Sequence, residues 1–425
     1  MIGYMPLFLI FTMQMVGVGI LHQIQTMERR WLALSIAVLT LLSTILLWSP
    51  AEYSSVFSAH FTVNPQRMLL ASSIQVGAVS LILLQRRADI QTSALPWMLT
   101  SLLFESLTIV ATDVMAVIAL AICSTIVSAW YIRQYSRAYA LYAGLTILSL
   151  LVAGIGFYGN TGTEDPPLWA IFAIILAGLV RLGVFPFSSG ILSVLKKTGF
   201  SIPSMITMLP MSGVAIMYID QPLLDHVPEV QSGLLYYLGV VALLSVFLSL
   251  RQMILSKAVH YAFGGMESIL LLAVLISHNS TATYLLWVNL LLSSIGIVSV
   301  FHILQARVGR MTLDNYNGLQ AISPLLGVYF LFLLGAYAAF PGFLGFISLD
   351  GFLHSVGLKH FWLLAGIVVS ITTVGFALMR VYFKVFMGPY YNPNASMALK
   401  MRENIGLLIL SVLLLICGLF PNILL

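Results

Sequence analysis

Charge is scarce in this sequence. Only 8% of its 425 residues are Asp, Glu, Lys or Arg, whereas 60% are hydrophobic, and the mean hydropathy is +1.02. A soluble domain of this size needs far more charged surface. Cysteine is scarce too: Cys123 and Cys417 lie far apart inside apolar runs, which argues against a disulfide framework, a redox CxxC pair or a zinc site. The composition therefore predicts an all-α polytopic membrane protein.

The sequence also lacks the motifs that mark common catalytic and cofactor sites. It has no Walker-type phosphate loop, no Gly-rich dinucleotide turn, no metal-ligand cluster and no nucleophile elbow. We therefore expect no catalytic residue, no metal and no cofactor in this chain, so that any redox or hydrolytic centre would belong to another chain. The net charge of +5 lies mainly in the connections between apolar runs, so it does not indicate a nucleic-acid partner.

Apolar runs recur along the whole chain, each close to the ~20 residues that a helix needs to cross a bilayer. The first run, residues 5–21, lacks a basic segment before it and a small-residue cleavage site after it. We therefore expect a retained helix there, not a signal peptide. The runs predict fourteen spans, at residues 3–22, 31–49, 68–84, 95–111, 113–132, 138–158, 168–187, 202–219, 233–250, 258–277, 282–302, 321–340, 361–383 and 404–424.

Basic residues occur in every second connection between these spans. All but Arg67, Arg181 and Lys359 of the 19 Lys and Arg residues lie there, and the intervening connections carry mostly acids. Cytoplasmic loops of membrane proteins are enriched in Lys and Arg. The alternation therefore predicts a multi-pass protein of the cell (inner) membrane with both termini outside.

Proline and glycine interrupt the seventh and twelfth predicted spans. The first interruption reads FPFSSG and contains Pro186, and the second reads FPGFLG and contains Pro341 and Gly342. Short helical stretches are expected after them, at residues 191–197 and 347–358. Non-helical backbone at membrane depth is tolerated only where protein or a water-filled cavity covers it. The breaks therefore indicate either a transport path or simple packing kinks.

The two breaks match in position if the chain contains two five-helix repeats, because each break then lies in the fourth helix of its repeat. Five is odd, so the repeats would cross the membrane in opposite senses, which is typical of transporters. The predicted domains are residues 1–94 with three spans, the repeats 95–220 and 221–385, and residues 386–425 with the last span.

Few ionisable side chains lie within or beside the spans, where each costs at least ~2.5–3.5 kcal/mol. Their kinds suit a proton relay. Asp113 and Lys257 also fit interfacial positions, and His302 fits a helix-end histidine that reaches a backbone carbonyl. The candidates for a proton or cation pathway are Glu105, Asp113, Arg181, Lys257, His260, Glu267, His302 and Asp350, with His354 close to the last.

Four segments resemble the antiporter-like, proton-conducting membrane subunits of respiratory complex I, membrane-bound hydrogenases and multisubunit cation/proton antiporters. GLVRLGVFPFSSGILSVLKKTGF is similar to that family's K-S-A-Q-F-P-F-H block, and KAVHYAFGGMES is similar to its K-R-x-L-A-Y-S-S-I-S-Q. AAFPGFLGFISLDGF resembles its second break, and MRVYFKVFMG its Y-x-L-R-x-x-x-x-x-F-F-G. The resemblance covers the chain from about residue 60 onward and implies an ion-translocating subunit of an NADH:quinone oxidoreductase-like or related complex.

The sequence departs from that family at its charged positions. The resemblance implies an acid in span five that pairs with a lysine in span seven, and further charged residues beyond. The lysine position holds Arg181, while the other positions fall on Ile122, Met208, Leu290 and Leu349. Arginine does not deprotonate in proteins and so cannot pass a proton as lysine can. A full copy of the family's relay is therefore absent.

Three functions remain open on the sequence. The chain conducts protons by an altered route, in which Glu105 or Asp113 partners Arg181. Alternatively, it is a degenerate scaffold that conducts nothing and docks a membrane or cytoplasmic partner. The third alternative is the membrane subunit of an inorganic-carbon accumulating complex with a carbonic-anhydrase-like cytoplasmic partner.

Overall fold

Helices account for nearly all of the described structure. It is a computed structural model that describes residues 14–21, 23, 29–46, 65–85, 94–111, 113–159, 167–201, 228–277, 281–357, 361–389 and 398–421. Within these ranges there is no β-strand, and an isolated antiparallel bridge joins Ile254 to Thr312. The chain divides into two compact units, with a boundary between Gly183 and Val184.

The first unit contains a series of strongly apolar helices. They are α1 (Arg29–Leu46), α2 (Pro65–Leu84), α3 (Ala94–Val110), α4 (Val114–Ile132), α5 (Arg137–Gly159) and α6 (Leu168–Leu182).

The second unit begins just after α6 and contains the remaining helices. They are α7 (Ser189–Thr198), α8 (Pro228–Arg251), α9 (Leu255–Ser277), α10 (Thr281–Val308), α11 (Pro324–Tyr337), α12 (Leu344–Val356), α13 (Phe361–Phe386) and α14 (Met401–Leu419), with a 3-10 turn at Leu319–Ala321.

Many of these helices have the length and composition of membrane-spanning helices. Eight in the described part of the chain are long and apolar enough to cross a membrane, and α3, α6, α11 and α12 are shorter apolar helices. The prediction of an all-α, multi-pass membrane protein is therefore confirmed. The count of fourteen spans and the two inverted repeats stay predictions, since the span predicted at 202–219 lies outside the described residues, as does most of the first.

Several helices begin or end five or six residues from the predicted bounds, and two ends are instructive. Span seven was expected to run to residue 187, but α6 ends at Leu182 because Gly183 takes the left-handed conformation with φ +66°. This conformation is easy for glycine and stops the helix. Span eleven was expected to end at residue 302, whereas α10 continues to Val308.

Small residues bring the helices of the first unit close together. Ala121, Ala153 and Ala177 are buried where α4, α5 and α6 meet. A Cβ added at Gly156 would lie 2.6 Å from the Cβ of Ala170. Small residues at helix contacts allow the close packing on which membrane helices depend.

Helix α10 is the centre of the second unit. Every residue from Thr283 to Leu304 is buried, and the helix packs against α9, α11, α12 and α14. Between α11 and α12 the chain leaves helical geometry, and the backbone N–H of Phe340 donates to the Gly335 carbonyl at 2.8 Å. Asn289 of α10 stabilises this break by donating from Nδ2 to the Ala336 carbonyl at 3.0 Å.

Candidate functional site

Arg181 is a buried cation in the last turn of α6. Its side chain is 3% exposed, and the carboxylate-bearing side chain of Glu105 on α3 is equally buried. Nη2 of Arg181 donates to Oε1 of Glu105 at 2.8 Å. The two residues therefore form an ion pair in the interior of the first unit.

Three hydroxyl groups also contact this pair. Nη2 of Arg181 also donates to Oγ of Ser124 at 3.0 Å, while Nη1 donates to Oγ of Ser128 at 3.1 Å and to Oη of Tyr139 at 3.2 Å. The Ser124 hydroxyl in turn donates to Glu105 at 2.7 Å. Side chains from α3, α4, α5 and α6 thus converge on one guanidinium.

The local sequence explains this convergence. Ser124 and Ser128 are four residues apart, so they lie on the same face of α4 and reach the guanidinium one above the other. Sequence reasoning missed both serines and Tyr139. The available signal was the i, i+4 pair of hydroxyls within an otherwise apolar helix.

The chemistry of the pair is asymmetric. Removing two charges from water costs several kcal/mol per ion, and the cost is offset only when the ions pair closely and their other hydrogen-bonding groups are satisfied. Arginine keeps its charge, whereas a carboxylate becomes neutral by taking up a proton. Within this cluster, Glu105 is therefore the group able to accept and release a proton, and Arg181 is a fixed charge.

Asp113, the other acid expected near Arg181, occupies a capping position. It precedes α4, and its Oδ2 accepts a hydrogen bond from the Ala116 backbone N–H at 3.2 Å. Aspartate is a favoured N-cap because it satisfies an otherwise free N–H at the helix start. Of the two proposed partners of Arg181, the structure brings Glu105 to it.

Helix α9 carries three of the other candidates. His260 is buried at 3% exposure, Glu267 is half-buried, and Lys257 is half-buried in the first turn. Glu267 lies close enough to interact electrostatically with the buried phenol of Tyr337, the last residue of α11. Within the described part of the chain, the Glu267 carboxylate accepts no hydrogen bond. The structure thus brings Glu267 and Tyr337 together near the second break.

His302 lies in α10, well before the helix ends at Val308. It is 1% exposed, and its Nδ1 is 2.8 Å from the carbonyl oxygen of Phe200. The predicted contact with a backbone carbonyl is present, although the carbonyl belongs to a residue 102 positions away and not to a neighbouring turn.

Asp350 and His354 lie on an open face of α12. Their side chains are 58% and 80% exposed, and His354 Nδ1 is 3.7 Å from Asp350 Oδ1. The i, i+4 spacing on one helix accounts for this proximity. Asp350 is therefore apart from the buried candidates of its own unit.

The two breaks contain the residues expected to interrupt helices. Pro186 lies in the turn between α6 and α7, and Pro341 and Gly342 lie in the turn between α11 and α12. Gly342 has φ +92°, a conformation that other residues rarely adopt.

Three of the positions at which the resemblance implies a charged residue hold apolar side chains that pack in the interior of the protein. Leu290 and Leu349 are 5% and 7% exposed, and Ile122 packs against the apolar core of α4, α5 and α6. Met208 lies outside the described residues. The charged groups of this chain are therefore not at the positions that the family pattern implies, except for Arg181.

Comparison with known proteins identifies relatives of one kind. No family model matches the chain. It is 25% identical over 472 residues to NADH-ubiquinone oxidoreductase chain 4 of Chondrus crispus, and the alignment covers 98% of this chain and 94% of that protein.

Solved structures share the fold. A chain of respiratory complex I from Thermus thermophilus superposes with a TM-score of 0.86 at 17% identity, covering 98% of this chain and 96% of that one. A chain of the membrane-bound sulfane sulfur reductase, an archaeal respiratory membrane complex, superposes with a TM-score of 0.82 at 14% identity, covering 97% and 94%. The resemblance to antiporter-like subunits of such complexes is thus confirmed.

Proposed function

We propose that this chain, which resembles antiporter-like subunits in sequence and fold, conducts protons across the membrane as part of a larger energy-converting complex. The observation that carries the proposal is the buried ion pair between Glu105 and Arg181. An ion pair in the membrane interior is costly to build. In a transport protein, its titratable member can serve as a proton carrier.

The pair makes proton uptake at Glu105 dependent on nearby charge. When Glu105 takes up a proton, Arg181 loses the negative charge of this carboxylate, and the hydroxyls of Ser124, Ser128 and Tyr139 continue to accept its hydrogen bonds. The protonated state of Glu105 is therefore favoured when another negative charge approaches the pair or a positive charge moves away from it. When the proton departs, the ion pair forms again. This dependence would couple proton movement to charge elsewhere in a complex.

The second unit supplies titratable groups for the rest of the route. Glu267 and His260 are seven residues apart on α9, so they lie on the same face two turns from each other. Glu267 acts on Tyr337 at the end of α11, where the second break begins. Lys257, His302 and Asp350 are the remaining groups of the proposed pathway.

The proposal includes the arrangement of the chain in the membrane. Fourteen spans, with both termini on the non-cytoplasmic side of the inner membrane, agree with the alternation of basic connections. Two inverted five-span repeats agree with the two broken helices. The proposed partners are other membrane or cytoplasmic subunits, because the similar structures belong to complexes. Protons are the proposed cargo, and monovalent cations are the alternative.

A scaffold without conduction is the second candidate, and one observation favours it. Arg181 donates four hydrogen bonds within the first unit and cannot release a proton. Such a centre could hold four helices together without transport. The inorganic-carbon alternative differs in its cytoplasmic partner, so identification of the protein that co-purifies in mild detergent distinguishes it from a redox complex.

Proton flux in vesicles tests the proposal. The assembled complex is reconstituted, a membrane potential is imposed, and internal pH is followed with a dye. We expect Glu105→Gln and Glu267→Gln each to abolish most of the flux. Glu229→Gln, which neutralises an exposed acid at the start of α8, is the matched control and should conduct normally. Normal flux in both interior variants would contradict this route.

A further inference from the structure

A cavity of about 300 Å³ lies within the second unit, at the end of the helices that carries basic residues. Its walls include the side chains of Leu195, Phe200, Leu255 and Met311, all of them buried. These residues come from the end of α7, the start of α9 and the segment after α10. The interior of the cavity is therefore suited to an apolar group.

Hydrogen bonds from α10 fix one wall of this cavity. Gln305 Oε1 accepts from the Phe200 backbone N–H at 2.7 Å, and Gln305 Nε2 donates to the Thr198 carbonyl at 3.2 Å. Gly199 between them has φ +60°, and a Cβ there would lie 2.3 Å from Gln305 Oε1. The turn after α7 is thus held in one conformation that requires glycine.

A second set of contacts fixes another part of the cavity wall. The backbone N–H of Leu313 donates to the Met253 carbonyl at 2.7 Å, beside the bridge between Ile254 and Thr312. The segment after α10 is therefore tied to the start of α9, and these contacts hold this part of the cavity wall in place.

The rim of the cavity is positively charged. Lys196 and Arg310 are exposed lining residues, and none of the described lining residues is acidic. A helix C-terminus normally repels anions because its last carbonyls are free. Here Arg310 donates to the carbonyls of Lys196 and Lys197, and Gln305 covers that of Thr198. The negative end of α7 is thereby neutralised.

An apolar interior beneath a cationic rim matches an amphipathic anion. A small inorganic anion would leave the apolar walls unused, and a neutral lipid would leave the cations unused. Basic pockets between membrane helices on the cytoplasmic side bind anionic lipid headgroups, and the charge pattern of the connections assigns this end of the helices to the cytoplasm.

We propose that this cavity binds an anionic phospholipid, with part of an acyl chain between Leu195, Phe200 and Met311 and the phosphate at Lys196 and Arg310. The carbonyl of Phe200 also contacts His302 of the proposed proton pathway, but the existence of the lipid site does not depend on conduction.

Lipid retention measured by native mass spectrometry tests this site. The complex is purified in mild detergent, stripped of lipid and titrated with phosphatidylglycerol, with phosphatidylcholine or with glycerol phosphate. Lys196→Glu removes one rim cation, and Lys197→Glu is the matched control, because Lys197 is exposed on the same helix but does not line the cavity. Both side chains are exposed, so both variants should fold.

We expect wild type and Lys197→Glu to retain phosphatidylglycerol in preference to phosphatidylcholine. Lys196→Glu should retain at least fivefold less phosphatidylglycerol than the wild type. Equal losses in both variants would indicate general attraction to a basic surface and overturn the proposal. Retention unchanged in Lys196→Glu would overturn it as well. Displacement of the lipid by glycerol phosphate at similar concentration would identify a soluble-anion site instead.

Discussion

Nη2 of Arg181 lies 2.8 Å from Oε1 of Glu105, although 76 positions separate the two residues in the chain. The side chains of both are 3% exposed. Both charges are therefore shielded from bulk solvent, and each helps to compensate the other. The two members differ in one respect that determines every prediction about them: the carboxylate can become neutral and the guanidinium cannot.

Removal of the acid should destabilise the protein more than removal of the base. Glu105→Gln leaves a permanent buried cation, and breaking a buried pair in this way costs about 3–5 kcal/mol. Arg181→Met leaves a carboxylate that can take up a proton, so its cost should be smaller. Thermal unfolding in detergent micelles measures both.

The double variant Glu105→Gln with Arg181→Met is the control for this comparison. It lacks both charges of the pair, and replacing a buried pair as a whole is often neutral. We expect it to unfold at a higher temperature than Glu105→Gln alone. A loss of stability equal to the sum of the single losses would show that the two side chains are not coupled.

Arg181→Lys should change how proton flux depends on pH. Lysine preserves the positive charge beside Glu105, but it can release its proton. We therefore expect the flux in vesicles to exceed that of the wild type and to vary more steeply with pH. Arg137→Lys, an exposed arginine at the start of α5, should leave the profile unchanged. Identical profiles for Arg181→Lys and wild type would refute a fixed-charge role for Arg181.

Gly345→Ala should destabilise the second break. An added Cβ would lie 2.2 Å from the carbonyl oxygen of Ala336, which is backbone and cannot rotate away. Overpacking of this kind costs about 1–3 kcal/mol. Gly233→Ala in α8 is the matched control, because a Cβ there meets nothing within 4 Å. An unfolding temperature equal for the two variants would contradict the tight packing of α12 against α11.

The sequence was sufficient to predict the fold class and to identify Arg181 as a buried charge that needs an acidic partner. Scarce charge and repeated apolar runs require membrane helices, because backbone groups in lipid must be hydrogen-bonded within the chain. The cost of isolated buried charge required a partner for Arg181, and Glu105 was one of two acids proposed. The cap position of Asp113 was also readable, since an aspartate directly before an apolar helix is a typical helix start.

Other features depend on packing that no local pattern contains. Tyr139 reaches Arg181 only because α5 packs beside α4, and Phe200 meets His302 across 102 positions of sequence. Asp350 follows the buried Leu349 by a single residue, yet it is exposed because successive helical residues point in different directions. Sequence reasoning named His302 and Asp350 but not Tyr139 or Phe200, and it could not predict these contacts.

Proton flux through complexes that carry Arg181→Met tests the central claim most directly. The flux is measured in vesicles and divided by the amount of assembled subunit, so that a loss of assembly does not count as a loss of conduction. If the Glu105–Arg181 pair takes part in transport, flux per assembled complex should fall at least tenfold. If the pair only holds helices together, flux per assembled complex will equal that of the wild type, and a role for the pair in proton conduction is refuted.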